Sequence, residues 1–205
     1  MKKQPERTAR TRQKLVDAFC ELYREKKIEK ITIKEIAEKA GVYRSTFYEY
    51  FSDIYELLTS IEDDIMEDFR NAWEHFFRSN DFETGISYIL KFYEVNGEKV
   101  AVLLGPNAHQ SFYLRIKDTA REVLFSNTKA DKSDPRIEIL LTALPPAVLS
   151  ILQYWYEHQD SITLQETLAV GKQFMTKGVL PALRDLGILS FENLESETQG
   201  ASKHF

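Results

Sequence analysis

Apolar residues in the first quarter of the chain recur at the spacing of a helix, not of a strand. Between Thr11 and Lys26, the residues Leu15, Ala18, Phe19, Leu22 and Tyr23 fall three and four apart. That period gathers them on one face of an amphipathic helix. The run Lys26-Lys27-Ile28-Glu29-Lys30 breaks the period and reads as a connection. Thr32 followed by Glu35 predicts a capping box, in which the threonine oxygen and the glutamate carboxylate satisfy free backbone donors at a helix start. Ile33, Ile36 and Ala37 then supply a short buried face, and Gly41 predicts a left-handed end to that helix. Val42 anchors the turn, and a third short helix carries Tyr43-Arg44-Ser45-Thr46-Phe47-Tyr48. Two short helices separated by a glycine turn, the second polar on one side and aromatic on the other, make a helix-turn-helix.

The same period dominates the remainder. Residues 55–77 read as one long helix with an apolar stripe of Leu58, Ile61, Ile65, Phe69, Trp73 and Phe76. Ser79-Asn80-Asp81 caps a further helix, which Asn96-Gly97 is expected to interrupt after Tyr93. A shorter element over 99–104 ends at Gly105-Pro106-Asn107, and helical spacing resumes from His109 to Phe125. The polar stretch 127–135 is expected to be an exposed loop. Two long apolar segments follow. In 137–158, Pro145-Pro146 must kink or divide the helix. In 163–186, Leu164, Leu168, Phe174, Val179, Leu180 and Leu183 hold the spacing, while Gly171, Gly178 and Pro181 permit close approach or a break. Residues 190–205 read as a polar tail. The chain is thus expected to be all-α, with a three-helix domain over 1–53, a larger helical domain over 54–189 and a tail over 190–205.

Composition narrows the function classes. With 43% hydrophobic and 29% charged residues, the 205-residue chain has the makeup of a soluble globular protein with a sizeable core. No stretch reads as the roughly 20 apolar residues needed to cross a bilayer, and the first residues are too polar for a signal peptide. A cytoplasmic address without a membrane partner is expected. Cys20 is the single cysteine, so no intrachain disulfide is possible, and its place beside the apolar stripe makes it a core residue. Four scattered histidines show no zinc spacing, and no metal or cofactor is expected.

Net charge is −5, but its distribution carries the information. Residues 1–53 hold 13 Lys or Arg against 9 Asp or Glu, whereas residues 54–205 hold 14 against 23. A polyanion is steered toward the first quarter and repelled by the rest. Tyr43, Arg44, Ser45 and Thr46 supply short or flexible polar groups for base edges, as a recognition helix needs. Thr32, Tyr48 and Tyr50 offer hydroxyls to phosphates, although for the two tyrosines plain packing is the competing reading. Lys34 and the arm residues Arg10 and Arg12 complete the candidate contacts, with Phe47 and Phe51 as core plugs behind them.

Thr11-Arg12, the helix through Leu22, the run from Thr32 to Val42, and Tyr48-Glu49-Tyr50-Phe51 followed by Leu57-Leu58 resemble the N-terminal domain of the tetracycline-repressor family. The resemblance implies an all-helical homodimer whose three N-terminal helices read a palindromic operator in double-stranded DNA. It further implies a variable helical domain that binds a small-molecule effector. Thr32 matches the family's phosphate-contacting cap. Arg44, Ser45 and Thr46 match its base-reading and backbone-reading positions, and Tyr48 and Tyr50 its phosphate-contacting aromatics. One position departs. Where many members carry phenylalanine, two residues and lysine, this chain reads Phe51-Ser52-Asp53-Ile54. Ile54 cannot bind phosphate, and Asp53 with Glu56 can instead cap the fourth helix.

Aromatics concentrate at Tyr88, Phe92, Tyr93, Phe112 and Tyr113 near His109, a mixture suited to an apolar pocket with a few polar anchors. Each also fits ordinary core packing. By resemblance, the last two long helices pair with their mates in a dimer, with Leu152, Trp155, Tyr156 and Phe174 at the seam or in the core. An enzyme is a poor reading, because the chain has no glycine-rich phosphate loop, nucleophile elbow or compact catalytic motif. The resulting expectation is a sequence-specific transcriptional regulator, a repressor released from its operator by a small molecule. The alternative is a coactivator of the same fold that docks a protein partner instead of DNA.

Overall fold

The structure, a computed structural model, describes residues 5–129, 131–179 and 181, and every regular element among them is helical. Helix α1 spans Pro5–Glu25 and begins six residues before the apolar period predicts. Its polar turns are tied locally, with Thr11 Oγ1 donating to the Arg7 carbonyl at 3.0 Å and Gln13 Nε2 to Asp17 Oδ1 at 2.7 Å. Its apolar face, Leu15, Val16, Ala18, Phe19 and Tyr23, is buried. A 3₁₀ turn at Ile28–Lys30 buries Ile28 and leads into α2, Ile33–Ala40. The short helix α3 follows at Arg44–Tyr48. Helix α1 packs on α2, and α2 on α3.

Five longer elements complete the described chain: α4, Ile54–Arg78; α5, Phe82–Leu103; α6, Gln110–Asn127; α7, Pro135–Glu157; and α8, Leu164–Phe174. Asp81 Oδ1 accepts from the Thr84 amide at the start of α5, and Asp134 Oδ1 accepts from the Arg136 amide at the start of α7. Thr163 and Glu166 form a second capping box at α8.

The chain divides into two compact units. One holds the described residues through Ile65 together with Glu98–Phe112; the other holds Met66–Gly97 and the described residues from Tyr113 onward. In the first, Asn107 Nδ2 donates to the Arg24 carbonyl at 2.8 Å, which fixes the α5–α6 connection to α1. In the second, α4 and α5 approach so closely that a Cβ on Gly85 would lie 3.0 Å from Phe76 Cδ2 and 3.2 Å from its carbonyl oxygen. Only glycine fits there without a shift of backbone or ring.

Four expectations change. Asn96-Gly97 does not interrupt α5, because Asn96 is buried and its amide donates to Asp68 at 3.0 Å, while Gly97 faces Leu152. Tertiary hydrogen bonding and packing there outweigh weak local helix propensity. Pro145-Pro146 does not divide α7, although the missing proline amides leave the carbonyls of Leu141 and Thr142 without helical donors. Helix α8 ends at Phe174 and passes into a π turn, Met175–Val179. Leu180, Leu183 and the tail 190–205 lie outside the described residues. Lastly, α7 from Pro135 to Trp155 is long and apolar enough to cross a membrane by length and composition, contrary to the sequence reading. The interspersed Thr142, Ser150 and Gln153 hid that run from a search for unbroken apolar residues.

Candidate functional site

Two places in the molecule combine shape with chemistry, one in each unit. The first is the turn between α2 and α3. Helix α2 starts at a complete capping box: the Glu35 amide donates to Thr32 Oγ1 at 3.2 Å, and the Thr32 amide donates to Glu35 Oε2 at 2.9 Å. Lys26 Nζ reaches the same carboxylate at 2.5 Å. Hydrogen bonding from Lys26, then from the Thr32 hydroxyl and amide, holds the Glu35 carboxyl down at about 2. The helix ends at Gly41 with φ 66° and ψ 38°. There the Val42 amide donates to the Ala37 carbonyl at 2.9 Å and the Gly41 amide to the Glu38 carbonyl at 3.2 Å. These two bonds form a Schellman motif, and it reverses the chain sharply enough to begin α3 within three residues.

Helix α3 is sorted by face. Phe47 is fully buried and contacts Phe51 with ring centroids 5.7 Å apart. Opposite it, Tyr43 is 83% exposed, Tyr48 is 49% exposed, and Arg44 and Ser45 are exposed. Thr46 and Tyr50 are half-buried. Arg44 Nη2 donates to the Tyr48 hydroxyl at 3.1 Å, and its guanidinium lies 5.7 Å from that ring's centroid, so the two form one exposed pair. Thr32, Lys34 and Arg10 are also exposed, with Lys34 3.8 Å from Glu38. Arg12 is held elsewhere. Its guanidinium meets Asp64 at 2.8 Å, donates to Ser60 Oγ, and lies 5.9 Å from the centre of the Phe51 ring, so it ties α1 to α4.

The start of α4 explains the departure at residues 53 and 54. Asp53 Oδ1 accepts from the Glu56 amide at 2.8 Å, while Glu56 Oε2 accepts from the Ser52 amide at 2.6 Å and its hydroxyl at 2.5 Å. Two carboxylates occupy a helix start that otherwise offers free donors to a phosphate. The Ser52 hydrogen bonds hold the Glu56 carboxyl below its usual range.

The second place is a cavity of about 100 Å³ in the other unit, partly open to solvent. Helix α4 contributes Phe69, Trp73 and Phe77, α5 Ile86, Ile89, Leu90 and Tyr93, and α6 Ile116, Ala120 and Leu124. Helices α7 and α8 close it with residues that include Leu144, Val148, Leu168 and Lys172. Of the aromatic candidates, Tyr93 alone lines this wall. Tyr88 is exposed and stacked on His75 at 4.6 Å, and Phe92 is buried against Phe69. His109 and Phe112 belong to the other unit, His109 exposed 3.8 Å from Glu29 and Phe112 buried. Tyr113 is half-buried outside the lining. The residues that sequence reasoning missed carried a signal nonetheless: Phe69, Trp73 and Phe77 repeat every fourth residue, as do Ile116, Ala120 and Leu124. That spacing cannot separate a cavity wall from a filled core.

Of the seam candidates, Leu152 and Trp155 are buried within this chain, Phe174 is partly exposed, and the side chain of Tyr156 lies outside the described residues. Cys20 is buried, and desolvation pushes its thiol up to about 12, which makes it a packing residue and not a nucleophile.

An all-helical chain that presents an exposed polar helix behind a left-handed glycine turn is, by class, a DNA-binding helix-turn-helix protein. Residues 15–61 match the family described as bacterial regulatory proteins, tetR family. The match covers the N-terminal domain, which is a helix-turn-helix domain of the kind found in that family of transcriptional regulators. No curated protein sequence matches the chain. Among solved structures it is similar to the fatty acid degradation regulator FadR from Bacillus halodurans, 15% identical, covering 87% of this chain and 98% of that one with a TM-score of 0.57. That likeness extends the shared fold beyond the N-terminal domain. The dihydroxyacetone kinase operon activator DhaS is 16% identical over 88% of this chain and 98% of that one, with a TM-score of 0.49. A tetR-family regulator from Streptomyces coelicolor is 18% identical over 85% and 91%, with a TM-score of 0.48.

Proposed function

We propose that this protein is a homodimeric, sequence-specific repressor that leaves a palindromic operator when a small molecule fills the cavity. The observation that carries the DNA-binding part is the sorting of α3. Phe47 is fully buried while Tyr43, Arg44, Ser45 and Tyr48 stand exposed, so the helix is anchored from behind and free in front. Arg44 and Ser45 would read base edges in the major groove, and Tyr48 would contact a phosphate. Lys34 and Arg10 would add charge attraction, and Arg12 would act by holding α1 on α4.

The dimer rests on α7 and α8. Ile139 is 66% exposed and Tyr154 58% exposed, Val170 and Phe174 are exposed on α8, and only 19% of the apolar stretch of α7 is buried within the chain. A second copy related by a two-fold axis would cover this face, and two-fold symmetry matches a palindromic site. This reading places the protein in the cytoplasm and gives the length of α7 a role that needs no membrane. Helix α4 supplies Leu57 and Ile61 to the core of the first unit and Phe69, Trp73 and Phe77 to the cavity wall, so a ligand that prefers one position of α4 would shift the equilibrium of the DNA-binding heads.

Selection of purified protein against a random duplex library at controlled salt tests the reading. Enrichment of a palindrome is the expected result, with the protein eluting as a dimer in size-exclusion chromatography. Retention of duplexes without a shared motif would refute sequence specificity. No retention at low salt by folded protein would favour the partner-docking coactivator, a reading to which the acidic start of α4 at Asp53 and Glu56 already lends weight.

A further inference from the structure

The cavity wall contains a buried polar group that no described residue serves. The indole N–H of Trp73 is buried without a hydrogen-bond acceptor among the described residues. Such a donor is costly to leave buried unless a partner is supplied. Tyr93, half-buried on the same wall, adds a phenol whose ionisation is disfavoured by desolvation and which is therefore held neutral. The other polar groups of the wall are engaged. Thr167 Oγ1 donates to the Thr163 carbonyl at 3.0 Å, and Lys172 Nζ is paired with Glu83 at 2.9 Å. The indole N–H can only donate and the phenol can donate, and the one cation along the described wall is already neutralised.

From this geometry we propose that the cavity binds an uncharged, largely apolar molecule bearing a carbonyl-type acceptor, which Trp73 and Tyr93 hold in position. The inference rests on the reading of this cavity as the effector site. A carboxylate or phosphate would have to displace Glu83 from Lys172 or enter an apolar wall without a counter-charge, and an alkane would leave the indole N–H unserved. The ligand would therefore be sorted by what the wall lacks. Its apolar body would supply most of the affinity and its acceptor the discrimination.

The test compares 2-undecanone, undecane and undecanoate as displacers of N-phenyl-1-naphthylamine, a neutral fluorescent probe, from the full-length protein. In parallel, the indole N–H signals of the two tryptophans are followed by nitrogen-15 NMR. The ketone is expected to bind about fivefold to tenfold more tightly than the alkane or the carboxylate, the effect of one or two hydrogen bonds. It should also move one indole signal downfield, and that signal should be missing from Trp73→Phe. Tyr93→Phe, which removes one oxygen and keeps the ring, should lower the preference for the ketone over the alkane. Equal binding of ketone and alkane, tighter binding of undecanoate, or a shift confined to the Trp155 signal would overturn the assignment while leaving an effector cavity in place. Failure of the fluorescent probe and all three displacers to bind folded protein would overturn both the assignment and the cavity reading beneath it.

Discussion

Replacing Gly41 by alanine isolates one term in the energetics of the helix-turn-helix. Gly41 holds φ at +66°, in the left-handed region, and a Cβ built there meets no atom within 4 Å. The substitution therefore introduces no clash with neighbouring side chains, and its cost is that of placing an L-residue in a left-handed conformation, about 1–2 kcal/mol. Alanine also narrows the unfolded ensemble, which offsets the loss by about 0.4–1 kcal/mol. The net expectation is a destabilisation of about 1 kcal/mol, equivalent to a fall in Tm of about 2–4 °C for a chain of this size. Gly41→Asn should lose less, because asparagine visits the left-handed region more readily. Urea unfolding followed by circular dichroism, at one protein concentration so that dimer formation does not move the midpoint, measures both variants. An unchanged or raised stability for Gly41→Ala would refute the left-handed turn. A loss above about 3 kcal/mol would refute the open space around Cβ, since only a clash reaches that size.

Arg44→Ala should relax sequence discrimination by about 1–3 kcal/mol at particular operator positions, whereas Tyr48→Phe should weaken binding evenly across sequences; quantitative binding to an operator and its single-base variants separates the two. For Glu35, a folded-state pKa held down at about 2 against an ordinary 4.5 means that the native chain binds fewer protons than the unfolded chain between those values. Its stabilising contribution is complete above pH 4.5 and is lost as pH falls toward 2, so Glu35→Gln should show a shallower acid dependence of stability than the parent chain over that window. Arg12 and Asp64, 2.8 Å apart, should show a coupling of about 0.2–1 kcal/mol in a double-mutant cycle built from Arg12→Ala and Asp64→Asn, read by urea unfolding. Zero coupling would return Arg12 to the pool of free basic residues.

The helix-turn-helix was legible because its determinants are local. A capping box, a left-handed glycine and the spacing of Ile36, Ala37 and Phe47 act over a few residues, so each can be read in order along the chain. Asp53 was likewise legible as a cap, although Glu56 reaches back to Ser52 and not to the backbone of Asp53. The cavity was much less legible. Tyr88, Phe92, Phe112 and Tyr113 were candidates on the strength of aromatic density, yet a side chain's distance from a cavity depends on how five helices converge. Trp73 stood in the predicted stripe of α4 as one apolar residue among six. Its unserved N–H becomes visible only when its neighbours are known, because a hydrogen bond is lost through surroundings and not through sequence.

Arg12 and Asn96 show the same boundary. By sequence, Arg12 belongs to a basic arm and Asn96 to a break, and both assignments follow from local charge and propensity. The fold brings Asp64 and Ser60 to Arg12 from about fifty residues away and Asp68 to Asn96 from the preceding helix. Helical class, the order of the elements and the exposed residues of α3 were determined by short-range periodicity and capping, whose energies depend on neighbours within one or two turns. The cavity, its unserved indole, the tethering of Arg12 and the uninterrupted α5 were decided by tertiary packing, because each depends on contacts between residues that the chain keeps far apart.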